Sequence, residues 1–290
     1  EPSVLSDIIY GSDKFDNIIA LEGDDSIQGN GGNDIINGGK GYDTAKYLGD
    51  YSDYTFTYLN NNLIISDNRE VSIEGIDTLM NVEKLTFYDK DILVNKKGLI
   101  SINYLGYISE ITYQGKSDKY KFYNLRNGDY GVEKSSGIDA LTGSSLLKFD
   151  DKTLNLETDI KATFDQLTGI NNSSGKMFRL YNTAFSRFPD VDGLKYWINN
   201  FETGKDDIRA VASSFLLSEE FNLKYGENLS DEEYVKSLYQ NIFNRIPDES
   251  GFDYWVNNLK DGIEERYEVL IGFSESLENK NLFSEVTSIF

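Results

Sequence analysis

The sequence predicts a multidomain β plus α chain: a coiled parallel β segment first, short β modules after it, and an all-α domain at the C-terminal end. Three observations carry this. Aspartate recurs every ninth residue, at Asp7, Asp16, Asp25, Asp34 and Asp43. Short alternating runs such as Tyr54-Thr55-Phe56-Thr57-Tyr58 and Leu63-Ile64-Ile65 follow, divided by Asn, Asp and Gly, as strands are by turns. Further on the apolar spacing becomes helical, and the block at residues 180–200 returns at 238–258.

The nonapeptide array comes first. Two residues after each aspartate stands an apolar residue: Ile9, Ile18, Ile27, Ile36 and Ala45. Glycines cluster before the aspartates, at Gly23, Gly29-Asn30-Gly31-Gly32 and Gly38-Gly39-Lys40-Gly41. Six residues make a tight turn, in which glycine takes positive φ without steric cost. Three make a strand whose apolar residue faces inward. Two nonapeptides close one coil, so each turn lies above the next but one, roughly 4.8 Å away. That stacks Asp7 on Asp25, Asp16 on Asp34 and Asp25 on Asp43. Like charges about 5 Å apart repel by about 3 kcal/mol at an effective dielectric near 20, and two short side chains per coil offset little of it. A hard dication between the turns reverses the sign, and carboxylates with turn carbonyls are the all-oxygen set Ca2+ prefers. The pattern resembles the repeats-in-toxin (RTX) calcium-binding family. The resemblance implies a parallel β-roll over residues 1–50, with metal sites drawn from Asp7, Asp16, Asp25, Asp34, Asp43, Gly23, Gly32 and Gly41. Asp13, in the divergent first repeat Gly11-Ser12-Asp13-Lys14-Phe15-Asp16, is a further candidate.

Composition agrees with such a chain. Of 290 residues, 49 are Asp or Glu against 28 Lys or Arg, a net charge of -21. That balance disfavours nucleic acid, whose phosphates need a basic surface. Without Cys or His there are no disulfides, thiolates or imidazole bases, and the usual zinc and copper ligands are missing. No run of 18 apolar residues suggests a membrane span. Glu1-Pro2-Ser3 shows neither an initiator Met nor a leader, so the chain is expected to be a C-terminal part or processed form of something longer.

Residues 51–107 and 108–160 read as two β modules, A and B. Gly75-Ile76-Asp77-Thr78-Leu79, then Val82-Glu83-Lys84-Leu85-Thr86-Phe87-Tyr88-Asp89, resembles the segment after the β-roll in serralysin-type secreted proteins. Gly137-Ile138-Asp139-Ala140-Leu141, then Leu147-Lys148-Phe149-Asp150-Asp151, repeats it 62 positions on, and Gly49 and Asp53-Tyr54 are echoed by Gly115 and Lys119-Tyr120. Module B is expected to duplicate module A. Asp77 and Asp139 either bind a further calcium or cap turns through their side chains. Asp77 joins the metal candidates, and Asp139 leans to capping because no glycine-aspartate array precedes it.

Residues 172–290 form the expected helical tandem repeat, two homologous copies of about three helices each. The match between copies runs through Arg187/Arg245, Pro189/Pro247, Asp190/Asp248, Gly193/Gly251, Tyr196/Tyr254, Trp197/Trp255, Phe215/Phe273 and Glu220/Glu278. Arg-x-Pro-Asp ends a helix, since the residue before proline avoids the α region, and Asp190 and Asp248 then cap the next one. Gly193 and Gly251 are read as letting helices approach closely. Tyr196-Trp197 and Tyr254-Trp255 are expected to plug the core. The motif resembles domain-of-unknown-function family 4214, found in bacterial extracellular and surface-layer proteins. A sugar-binding groove at Arg187, Asp190, Tyr196 and Trp197 competes with a structural Arg-Asp pair and core aromatics, and the structural reading is favoured. The tail Glu285–Phe290 resembles the signal read by type I secretion systems, with the frayed end of a helix as an equal competitor.

Together these features predict a secreted, calcium-binding, non-enzymatic protein of the bacterial cell surface: a surface-layer, adhesin or extracellular-matrix component, folding on calcium after type I secretion. Its expected partners are calcium and itself, other surface proteins or polysaccharide. The alternative is the C-terminal export and folding module of a secreted enzyme such as a serralysin-like protease. A carbohydrate-active enzyme with paired carboxylates is a third reading, weak because 49 acids make any chosen pair uninformative.

Overall fold

The computed structural model describes residues 2–71, 73–95, 98–106, 108–126, 128–142, 145–226 and 228–290. Glu1 and the module boundary at residue 107 lie outside the described residues. Two compact units emerge: 1–105 with 133–140 and 288–290, and 106–132 with 141–287.

The first unit opens with five three-residue strands, β1 (Ile8–Tyr10), β2 (Asn17–Ile19), β3 (Ser26–Gln28), β4 (Ile35–Asn37) and β5 (Thr44–Lys46). A three-residue strand can send only its middle side chain inward. Accordingly Ile18, Ile27, Ile36 and Ala45 are buried, and Ile9 is partly so. Alternate strands pair in parallel, with Ile9 beside Ile27, Ile27 beside Ala45 and Ile18 beside Ile36. The two sheets continue past residue 50. In one, β5 pairs in parallel with β9 (Lys84–Thr86), which pairs antiparallel with β10 (Asp91–Asn95), and β10 with β11 (Gly98–Gly106). In the other, β4 pairs in parallel with β8 (Ile76–Met80), followed by antiparallel β7 (Asn62–Asp67) and β6 (Tyr54–Leu59). Leu79 and Leu85 thereby extend the inner stack of the coil. Tyr47, Tyr51, Tyr54, Phe56 and Phe87 close it as a ring cluster, centroids 4.9–5.8 Å apart.

The second unit repeats part of this arrangement. β12 (Glu110–Thr112) pairs in parallel with β16 (Leu146–Lys148), and β16 antiparallel with β17 (Thr153–Asn155), the order of β5, β9 and β10. Tyr113, Tyr120 and Phe149 stack at 5.1–5.4 Å as Tyr47, Tyr54 and Phe87 do. β13 (Phe122–Asn124) pairs with the start of β14 (Tyr130–Lys134), before β15 (Gly137–Leu141). A π-helical turn over Leu156–Lys161 runs into a short α1 (Ala162–Phe164). Phe188 then packs on Phe122, Phe164 and Phe178 at 5.0–6.0 Å, so strand and helix residues share one core.

Each helical copy resolves into four helices rather than three. They are α2 (Ser173–Phe185), α3 (Val191–Glu202), α4 (Ile208–Leu216) and α5 (Glu219–Tyr225), then α6 (Asp231–Phe243), α7 (Glu249–Lys260), α8 (Arg266–Glu275) and α9 (Leu277–Thr287). The extra break comes at Ser218 and Ser276: Ser218 Oγ accepts from Phe221 N and Ser276 Oγ from Asn279 N, each starting a new helix. Asp190 and Asp248 cap α3 and α7 through Gly193 N and Gly251 N. These glycines serve their caps: a Cβ on Gly193 would sit 2.6 Å from Asp190 Oδ1, and one on Gly251 2.5 Å from Tyr239 Oη and 3.1 Å from Asp248 Oδ1. One expectation for the core is corrected. Trp197 and Trp255 do pack inward, on Phe215 and Phe273, but Tyr196 and Tyr254 are 51% and 55% exposed, because adjacent residues on a helix point about 100° apart. Arg187 meets Glu220 and Arg245 meets Glu278 through paired contacts, each Arg standing 3.6 Å from its Asp. Among the described residues no helix is long and apolar enough to cross a membrane.

Candidate metal centre

The turns between the coil strands form two columns of carboxylates, each aspartate sitting directly before its strand. In one column, Asp25 Oδ1 accepts the N–H of Asp7 at 2.7 Å, Asp43 Oδ1 that of Asp25 at 2.9 Å, and Glu83 Oε2 that of Asp43 at 2.8 Å. In the other, Asp34 Oδ1 accepts the N–H of Asp16 and Asp77 Oδ1 that of Asp34, both at 2.8 Å. The backbone repeats the scheme: Ser26 N donates to Asp7 O, Thr44 N to Asp25 O, Lys84 N to Asp43 O, Ile35 N to Asp16 O and Thr78 N to Asp34 O. The stacking expected from the nine-residue spacing is therefore present, and each column gains a rung from beyond the array.

The second oxygen of each carboxylate separates ends from middle. Asp7 Oδ2 accepts Ser3 N at 2.6 Å, and Asp16 Oδ2 accepts Ser12 N at 2.6 Å and Ser12 Oγ at 2.9 Å. Asp77 Oδ2 accepts the Tyr47 hydroxyl at 3.2 Å. Asp25, Asp34 and Asp43 are buried, and their Oδ2 atoms have no partner. A buried anionic oxygen without a donor is costly. Burial first pushes Asp43 and Asp77 up to about 7 and Glu83 up to about 8. A backbone N–H opposes the rise in each case, and the charge of the adjoining rung adds to it. Asp25 and Asp34 move upward for the same reasons.

Gly23, Gly32 and Gly41 have φ of +123°, +116° and +144°. A Cβ on Gly23 would sit 2.6 Å from Leu5 O, one on Gly32 2.9 Å from Lys14 O, and one on Gly41 would strike Gly23 O. Turn carbonyls thus crowd onto the glycines beside the aspartates. Among the described residues no three acidic side chains converge on one metal position, so a cation here would draw most of its ligands from those carbonyls. The residues fit calcium: hard oxygen donors, unpartnered carboxylate oxygens, and turn carbonyls brought up against glycines. Asp13 lies with its backbone beside Gly31 and its side chain exposed. Asp139 is salt-bridged to Lys134 at 2.7 Å. Glu83 was missed by the sequence reading, although Glu83-Lys84-Leu85 repeats the acid-x-apolar order of Asp43-Thr44-Ala45.

Residues 7–45 match the RTX calcium-binding nonapeptide repeat, in four copies. This segment is an RTX calcium-binding β-roll. RTX repeats of this kind bind calcium and belong to secreted proteins. A second family model, a domain of unknown function named DUF4214, matches residues 212–283, from α4 through the second helical copy. None of the curated proteins matches the chain. Among solved structures the chain is similar to the extracellular lipase LipA from Serratia marcescens, at 15% identity and a TM-score of 0.31. That similarity covers 50% of this chain and 37% of the lipase chain, so this chain spans little more than a third of the lipase's length.

Proposed function

We propose that this chain is a non-enzymatic structural or interaction component of the bacterial cell surface, exported by type I secretion and folded there by calcium. One observation carries the reading: the buried, unpartnered oxygens of Asp25, Asp34 and Asp43, stacked rung upon rung. Calcium supplies the positive charge that these columns lack. Asp7, Asp16, Asp25, Asp34 and Asp43 would hold it, with carbonyls around Gly23, Gly32 and Gly41. Where calcium is scarce, the stacked charges disfavour the coil and the chain stays export-competent. At the roughly millimolar calcium outside cells, sites with affinities near 10⁻⁴ to 10⁻³ M fill, and binding the folded state alone draws the equilibrium to it.

The surface role rests on the modules in series: the roll, β modules A and B as a duplication, and the helical copies as a second duplication with matching caps and Arg–Glu pairs. The tail Glu285–Phe290 is read as the secretion signal. Far-ultraviolet circular dichroism of the full chain tests the folding step. β signal should grow as calcium replaces chelator, while the helical signal stays. Magnesium should not substitute, since it demands stricter octahedral geometry. A roll fully formed in chelator would overturn the reading. Light scattering in calcium separates the two roles: large assemblies support a surface component, and a monomer points to an export module of a secreted enzyme.

A further inference from the structure

The first aspartate column does not end where its repeats end. Above the turn Gly38–Asp43 the chain makes a much shorter turn, Asn81-Val82-Glu83, between β8 and β9. It is tied down as a full repeat would be: Gly38 N donates to Met80 O, Lys84 N to Asp43 O and Asp43 N to Glu83 Oε2. Asn81 takes a left-handed φ of 49° to make the tight corner.

We propose that this rung is a further calcium site outside the nonapeptide repeats, closed by the Glu83 carboxylate, the Asn81 carbonyl and Asp43 Oδ2. Asp43 is fully buried and its Oδ2 has no partner. A Cβ on Gly38 would lie 2.5 Å from that oxygen and would strike Asn81 O. The same juxtaposition occurs inside the array, where a Cβ on Gly11 would lie 2.9 Å from Asp16 Oδ2 and strike Gly29 O. Asn81 O therefore stands where a repeat presents a glycine carbonyl. The turn is three residues shorter than a repeat turn, and the extra methylene of Glu over Asp restores the reach of its carboxylate.

Module B shows that strand pairing needs no carboxylates at this place. There Leu146 N donates to Ser109 O as Lys84 N does to Asp43 O, and Ile111 pairs with Leu147 as Ala45 does with Leu85. The positions of Asp43 and Glu83 are taken by Ser109 and Ser145, and Ser145 Oγ donates to the Ile108 carbonyl. The acids of the first copy are thus not required by the ladder.

The inference rests on the calcium reading of the roll, and the test separates the two. Glu83→Gln keeps the acceptor for Asp43 N but removes the charge. In the full chain, calcium counted by native mass spectrometry should fall by one ion in Glu83→Gln, and Glu83→Asp should keep the ion but bind it several-fold more weakly. An unchanged count in Glu83→Gln overturns this site alone, whereas a wild-type chain that binds no calcium overturns the roll reading. Should Glu83→Gln fail to fold, anomalous diffraction from wild-type crystals grown in calcium decides. A peak between Asp43 and Glu83 supports the site, and peaks confined to the repeats overturn it.

Discussion

At the scale of single residues, the decisive distinction is between carboxylate oxygens that have a donor and those that do not. Asp34 uses Oδ1 to accept the N–H of Asp16 and leaves Oδ2 without a partner. Asp34→Asn keeps that acceptor and removes the charge, so its effect should change sign with calcium. In chelator the variant roll should melt no lower than wild type, because a repulsive charge is gone. In calcium titrations its folding midpoint should rise about tenfold, equivalent to about 1.4 kcal/mol, as read by circular dichroism. A drop of the chelated melting temperature would show that the charge stabilises the apo coil. In the helical copies, Asp248→Ala removes one cap and should cost about 1 kcal/mol. Asp190→Ala should cost more, since Asp190 also accepts the Tyr181 hydroxyl at 2.5 Å. Neither should move the calcium midpoint. The aspartate columns were legible in the sequence because a strict nine-residue period fixes which side chains stack. Glu83 was not, because the hairpin of β6 and β7 separates it by forty positions from the rung it completes. Tyr196 and Tyr254 were misplaced because sharing a motif with an inward tryptophan does not put both neighbours on one helix face.

At the scale of elements, the coil is a set of very short strands held by turns whose glycine positions admit no side chain. Gly41 has φ +144°, and a Cβ there would strike Gly23 O, a backbone atom that cannot move aside alone. Gly41→Ala should destabilise the roll by more than about 2 kcal/mol, seen as a raised calcium requirement for β signal. The columns also set a pH dependence. Asp43 and Asp77 lie near 7 and Glu83 near 8, mainly through burial, against about 4 in an unfolded chain. Between those values the folded coil binds more protons than the unfolded one, so its stability falls as pH rises. In chelator the β signal should be stronger at pH 5 than at pH 7 and weaken further through pH 8, and saturating calcium should flatten the profile. A chelated roll that strengthens with rising pH would contradict the stacking. The coil and the helical copies were readable from periods of nine residues and of 3.6. The fourth helix in each copy was not, because a single serine cap breaks an apolar pattern that otherwise runs on.

Across the whole molecule, charge is placed unevenly. Residues 1–50 hold ten acidic residues and three lysines, and the carboxylate columns lie in the first unit. In the second, Ser109 and Ser145 occupy the matching rung, and the core is built on Phe122, Phe164, Phe178 and Phe188. One fully buried charge there is paired inside the protein: Arg179, 1% exposed, donates to Glu275 Oε1 at 2.6 Å and to the carbonyl of Ile170. That arginine needs no added ion to satisfy it. Ligands that bind only a folded state raise its transition by mass action, about 2.7 kcal/mol at a hundredfold excess over Kd. Calorimetry of the full chain should therefore resolve two transitions. One should be absent or low in chelator and climb with each decade of calcium, and the other should hold its temperature throughout. A single transition that moves as a whole with calcium would mean that the serine-bearing copy and the helices depend on the aspartate columns after all.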